Sequence, residues 1–431
     1  MLMRRIPQTL ALAAIAASVV GLSACSGGSA GGSAQSINVY LAQIPWSDEL
    51  ESLVPEFEAK TGIDVNLTVL GDTQLAQQYQ VMFNSGSAEA DVSMVMSSVE
   101  FPRYVDSGWL ADISDDVTGA ADWDWEDFSE PARRSVTDGE GAVRAVPLVS
   151  EHFILMYRKD LLEQAGIAVP TTFAELEEAA AKLNDPAAGV YGYATRANGS
   201  AGVPGAASFV FGSGGDWTDS SGEASLDSDA TVEGISVYGR LLHDSGAPGA
   251  LNMGWSEAVA LFNQGKVAFL GEADTLFPNV LDPEASRVAD NVGFAAFPAG
   301  PAGHRVASYT PWSLSIPQSS KKADLGWQFI EWATSAEMGK TMLAAGQPVT
   351  RESAWADPEA SAAFPADVAA LVRGDSGIDY VGYASPQVVN ISKSRDIVGT
   401  VLATAISGGD VESAARSADE ELAALIESEK E

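Results

Sequence analysis

Along its first hundred residues the chain alternates short β-branched runs with segments of helical period, and this pattern narrows the fold more than any other feature. "INVYLA" (Ile37–Ala42) reads as a strand, and Ser47 is placed to cap a helix whose apolar residues Leu50, Leu53, Val54 and Phe57 recur at i, i+3, i+4 and i+7. Gly62 ends that helix, and "IDVNLTVL" (Ile63–Leu70) supplies the next strand. A second helix carries Leu75, Tyr79, Met82 and Phe83 on one face and stops at Gly86, before a third strand over Ala90–Met96. Strand, helix, strand, helix, strand is the grammar of a parallel sheet covered by helices.

The pattern continues through the middle of the chain. A strand-like stretch begins at Ala145, a short helix closes at Gly166, and the Thr172-x-x-Glu175 capping box opens a helix that turns Phe173, Leu176, Ala180 and Leu183 inward. Further on, a helix stops at Gly265, a short strand covers Val267–Leu270, and a loop begins at Gly271-Glu272. Another amphipathic helix carries Leu325, Phe329 and Trp332. No period of solenoid length recurs. At 431 residues the chain exceeds what one core serves, and 46% hydrophobic residues suffice for two.

Charge and cysteine usage remove several function classes. With 59 acidic against 24 basic residues the formal charge is −35, which repels phosphate backbones and makes nucleic acid an unsuitable partner. The single cysteine, Cys25, permits neither an internal disulfide nor a cysteine-rich zinc site. It follows Arg4, Arg5 and an apolar run from about Leu10 to Leu22, a run shaped like an export signal and short for a membrane span. "LSAC" (Leu22–Cys25) looks like a bacterial lipobox, which implies cleavage before Cys25 and acylation of its sulfur. "SGGSAGGSAQS" then reads as a flexible tether.

Five segments in order resemble the extracellular solute-binding proteins of ABC transporters, in their carbohydrate-binding, maltose-binding-protein-like group. They are "FEAKTGIDVNL", "SGWLADISDDV", "AVPLVSEHFILMYRKDLLEQAGI", "LFNQGKVAFLGEADTLF" and "WSLSIPQSSKKADLGWQFIEWATSAEMGK". The closing helical stretch from Ser385 is similar too. The resemblance implies a two-lobed class II periplasmic-binding-protein-like α/β fold, each lobe a mainly parallel sheet flanked by helices. The parts would be a signal over 1–24, a lipidated Cys25 and tether over 25–36, one lobe from 37–149 with 309–347, and another from 150–308 with 348–431. It further implies capture of a sugar or sugar alcohol between the lobes of a monomer, delivery to a permease, and a lipid anchor on the outer face of the membrane. No cofactor is implied.

Strand ends face the cleft in such sheets, and a sugar calls for aromatic platforms with fixed polar partners. Gln43 and Trp46 follow the first strand, although Trp46 serves equally as a packing staple. Glu100 lies near where the family presents a carboxylate, in place of the usual Asp. His152 follows the first crossing, as a ligand contact or a hydrogen-bonded hinge residue. The resemblance places Arg196, Asn198, Asp216 and Trp217 in or near a sugar-contacting loop, and Glu272 and Asp274 after a short strand. Tyr309 and Trp312 follow the second crossing, near Ser308-Tyr309, and Gln347 and Arg351 lie near the third, at Gln347-Pro348. "DWDWEDF" (Asp122–Phe128) reads as a surface helix start.

Enzyme signatures are missing. Gly339-Lys340-Thr341 lacks the earlier glycine of a phosphate loop, Thr334 standing there, and neither H-E-x-x-H nor G-x-S-x-G occurs. A carboxylate pair of glycosidase type is compatible with the composition, and a secreted carbohydrate-active enzyme stays as an alternative. So does the same fold with a phosphorylated polyol, polyamine or peptide, since Arg196 and Arg351 suit an anionic group.

Overall fold

The structure, a computed structural model, describes residues 35–373 and 377–430, so Cys25, the export segment and nearly all of the tether lie outside the described residues. Three strands open the chain: β1 (Gln35–Ala42), β2 (Ile63–Leu70) and β3 (Val92–Met96), with β1 parallel to both neighbours. The helices between them, Pro45–Thr61 and Asp72–Ser85, bury Leu50, Val54 and Phe57, and Leu75, Tyr79, Met82 and Phe83, against this sheet. Gly62 and Gly86 close them at φ 73° and 65°, a left-handed turn in which a Cβ is strained. The first helix starts ahead of Ser47. Pro45 fits the first turn, where a missing N–H goes unnoticed, so Ile44 is the N-cap and Ser47 is buried inside the helix.

The later strands are β4 (Val146–Pro147), β5 (Glu151–Arg158), β6 (Tyr191–Ala194), β7 (Val267–Ala273), β8 (Val292–Ala296), β9 (Arg305–Val306), β10 (Ser308–Tyr309), β11 (Trp312–Ser315) and β12 (Asp379–Tyr380). One sheet runs β2-β1-β3-β11-β4, and a second runs β10-β5-β7-β6 with β8 also on β5. The chain passes from the first to the second between Pro147 and Glu151, and returns between Tyr309 and Trp312. Parallel pairing holds among β1, β2 and β3, between β6 and β7, and between β9 and β12. β11 runs against β3, and β5 against β7, β8 and β10. The reason is direction of entry: a strand arriving from the other lobe enters its sheet at the end where the neighbours finish.

Alternation along β5 sends Phe153 and Leu155 to one buried face and Ile154 and Met156 to the other. The capping box forms as expected, with Thr172 and Glu175 reciprocally bonded. The strand after Gly265 runs on to Ala273, so Gly271 and Glu272 belong to β7 instead of opening a loop. The chain also stays longer with the first lobe than the expected crossing at Gln347-Pro348. Val349 bridges Val149, and Arg351 bonds Thr334 and Asp127. Only at Phe364 does a ring meet both Trp355 (4.8 Å or less between centroids on either side) and Phe277 of the second lobe. Among the described residues, no helix is long and apolar enough to cross a membrane.

Candidate functional site

A cleft of about 1350 Å³ opens between the two sheets, at the ends of β1, β3, β6 and β7. The first lobe supplies a wall of rings and hydroxyls at its strand ends, with Asp106, Arg134 and Asp138 also in the lining. Ile44, Pro45 and Trp46 follow β1, Ser97 and Ser98 follow β3, and Trp312 opens β11. Ser97 donates to the Ser313 hydroxyl at 2.6 Å, which fixes this turn against β11. Gly346, at φ 84°, makes the tight turn that delivers Gln347 to the rim.

The second sheet supplies a charged wall, and strand register builds it. Antiparallel pairing sets Tyr309 opposite Glu151. The parallel register of β6 on β7, Ala194 beside Leu270, brings Arg196 level with Glu272 two residues later. Glu272 is fully buried and accepts from the Arg196 backbone N–H at 2.9 Å and from Nε at 2.9 Å, with Nη2 also on its carboxylate. Burial opposes the charge on Arg196, but the Glu272 carboxylate outweighs it and the guanidinium pKa rises. Burial pushes the Glu151 carboxyl above its ordinary range, against the lowering effect of Tyr309 and Arg196. Tyr309 is raised as well, first by burial and then by Glu151.

Of the residues singled out in the sequence, Trp46, Arg196, Tyr309, Trp312 and Gln347 line the cleft. Glu272 stands behind Arg196. The remaining ones sit elsewhere. His152 and Asp274, next in register after Phe153 and Ala273, hold each other, Nδ1 to Oδ2 at 2.8 Å, and His152 packs on Tyr380. Asp216 accepts from the Tyr383 hydroxyl, and Trp217 is wholly inside the second lobe against Phe211. Gln43 and Asn198 are exposed outside the cleft lining, and Glu100 precedes the helix Phe101–Asp106, whose Phe101, Pro102, Val105 and Asp106 line the cleft, and lies within reach of Tyr104.

Arg351 is the farthest from its expected role. It is 2% exposed and saturated by protein: Nε donates to Thr334 O at 2.6 Å, Nη2 to Trp123 O at 2.7 Å, and Nη1 to Asp127 Oδ2 at 2.8 Å. The guanidinium also lies over the Phe128 ring at 4.1 Å. "DWDWEDF" is therefore the socket of a buried arginine, with Trp123 in the core, and not a surface helix start.

Several cleft residues lie outside the sequence-based candidates, among them Trp255, Tyr383 and Arg395. Trp255, 47% exposed at the start of the helix Trp255–Asn263, lines the cleft, as do Tyr383 and Arg395. A Gly-Trp pair at a helix start was a usable signal for Trp255. Nothing local marks Arg395 on the helix Ile391–Ile406, because its place depends on the whole second lobe. Among the described residues, no group of three or more His, Cys, Asp or Glu is arranged to hold a metal.

Two α/β lobes, joined by several chain crossings around one cleft, define a solute-capture protein. Residues 45–340 match the family described as bacterial extracellular solute-binding protein, and the chain belongs to that family. A mannitol-binding protein of Pseudomonas aeruginosa is 30% identical over 370 residues, covering 81% of this chain and 83% of the relative. An ABC transporter solute-binding protein of Agrobacterium radiobacter, solved with ribitol, superposes with a TM-score of 0.77 at 25% identity, covering 91% and 98% of the two chains. One from Agrobacterium vitis with bound D-mannitol gives 0.71 at 27% identity, covering 90% and 97%. The protein thus binds solutes on the outer side of the cytoplasmic membrane for an ABC importer, and it is not an enzyme.

Proposed function

We propose that the cleft captures a neutral sugar or sugar alcohol and presents it to the permease of an ABC importer. The observation that carries this reading is the pairing of unlike walls. One offers Trp312 and serine hydroxyls, with Trp46 packed into the core of the lobe, and the other Glu151, Arg196 and Tyr309, which together suit the C–H faces and hydroxyls of a polyol. The mannitol and ribitol named for three relatives support the same class. Ligand contacts made by both lobes favour the closed arrangement, which a permease can read. The two lobes are taken as 37–149 with 312–364, and 150–309 with the remainder, in a monomer.

Cys25, within "LSAC", is proposed as the acylated first residue of the mature chain. Two acyl chains on one residue are the kind of double signal that stable retention needs. Cys25→Ser is expected to leave a larger, unprocessed product without acyl chains; an unchanged detergent-phase product of normal size refutes the lipobox. For the cleft, a thermal-shift panel of mannitol, ribitol, maltose, a polyamine and a sugar phosphate is the first test. Stabilisation of about 2.7 kcal/mol is expected at a hundredfold excess over Kd for the right ligand. Response to the polyamine or the phosphate alone refutes the neutral class.

A further inference from the structure

We infer that Arg395 is the specificity-determining residue of the cleft and that it holds a vicinal pair of hydroxyls on a neutral ligand. This rests on the sugar-alcohol reading above and narrows it. Arg395 lines the cleft from the first turns of the helix Ile391–Ile406. Among the described residues it has no carboxylate partner. Its one hydrogen bond to protein runs from Nε to the Ser200 carbonyl at 3.2 Å. The two Nη groups are left for whatever enters. Arg196, on the same wall, contrasts with it because Glu272 already takes its Nε and Nη2 and leaves only Nη1 to the cleft.

The backbone fixes this orientation. Gly399, one turn after Arg395 on the same helix face, packs so closely on the loop at Gly199 and Ser200 that a Cβ there would lie 2.7 Å from the Gly199 carbonyl carbon. That approach brings the Ser200 carbonyl within reach of Nε and aims the far end of the guanidinium at the cleft. Burial lowers the Arg395 pKa and the Arg196 cation works the same way, against Tyr309 and Asp396. A cation in that position gains from two oxygen acceptors at the spacing of its fork.

The ligand's charge follows from the wall. Arg196 and Glu272 cancel, and the same lining holds the Glu151 carboxylate, paired in register with Tyr309, as well as Arg395. An anion entering this cleft therefore meets a carboxylate as well as a cation. Two adjacent hydroxyls accept from Arg395 through their oxygens and still donate their own protons to Glu151 or Tyr309.

Calorimetric titration of the full chain with mannitol, ribitol and maltose identifies the tightest of the three, and the same titration is repeated on Arg395→Met. Binding is expected to weaken about ten- to hundredfold, the range for hydrogen bonds to a charged group. Arg395→Lys should fall between, since an ammonium cannot span two oxygens as a fork does. It also serves if Arg395→Met does not fold. A deoxy analogue of the ligand should lose affinity in the wild type and lose little more in the variant. Affinity within twofold of wild type in both variants overturns this inference and leaves the reading of the cleft intact. Tighter binding of the corresponding aldonate than of the alditol overturns the neutral diol, and no binding of any of the three overturns both.

Discussion

Two regions of the molecule each bury an arginine, and they use it in opposite ways. Behind the first sheet, Arg351 spends its donors on Thr334, Trp123 and Asp127 and lies over two aromatic rings. On the cleft wall of the second lobe, Arg395 touches a single carbonyl and leaves its fork open. The residue type is the same; what differs is how much of its bonding capacity the protein itself consumes. A saturated arginine is structural, and an unsaturated one in a cavity is a place for ligand.

Breaking each region tests the contrast. Arg351→Ala should cost about 3–5 kcal/mol in urea unfolding, because Asp127 and two carbonyls lose their partner in the interior. A cost near zero would remove Arg351 from the fold's supports. Arg196→Met is expected to come next: it strands the fully buried Glu272, and the double replacement Arg196→Met with Glu272→Leu should recover stability without recovering binding. Full recovery of binding would show that the pair only supports the lobe.

The next effect is on pH. Glu151 is raised by burial, and its charge also feels Arg196, Tyr309, Asp274 and Glu272. A ligand hydroxyl donating to the carboxylate favours its ionised form. Binding should therefore be fullest above the raised pKa and weaken as pH falls through it. Glu151→Gln should flatten that dependence, and a retained slope assigns it to another group. The smallest change is expected from Trp255→Ala, which should alter stability by less than about 0.5 kcal/mol because the ring is 47% exposed. Ligand-induced fluorescence change should shrink, and an unaltered signal would place the reporter deeper, at Trp46 or Trp312.

Much of the fold was legible because it is local. Gly62, Gly86 and the Thr172–Glu175 box punctuate helices within a few residues of themselves, and the structure has each of them. Ser47 misled because Pro45, two residues earlier, decides where the helix starts. The site was legible only by halves. Tyr309 and Trp312 fall beside a crossing, so their neighbourhood could be read. His152 and Asp274 could not be distinguished from ligand contacts, since their mutual bond joins positions 122 apart. The same holds for Arg196, Arg351 and Arg395: sequence gives the charge, whereas saturation depends on partners brought together from across the chain.

The link between Tyr309 and Trp312 is only Thr310-Pro311, and both flanking residues line the cleft. A rotating body displaces its atoms in proportion to their distance from the axis. Under the closure proposed above, contacts seated on this link lie beside a chain crossing and shift least, so Tyr309 and Trp312 would hold the ligand in both arrangements.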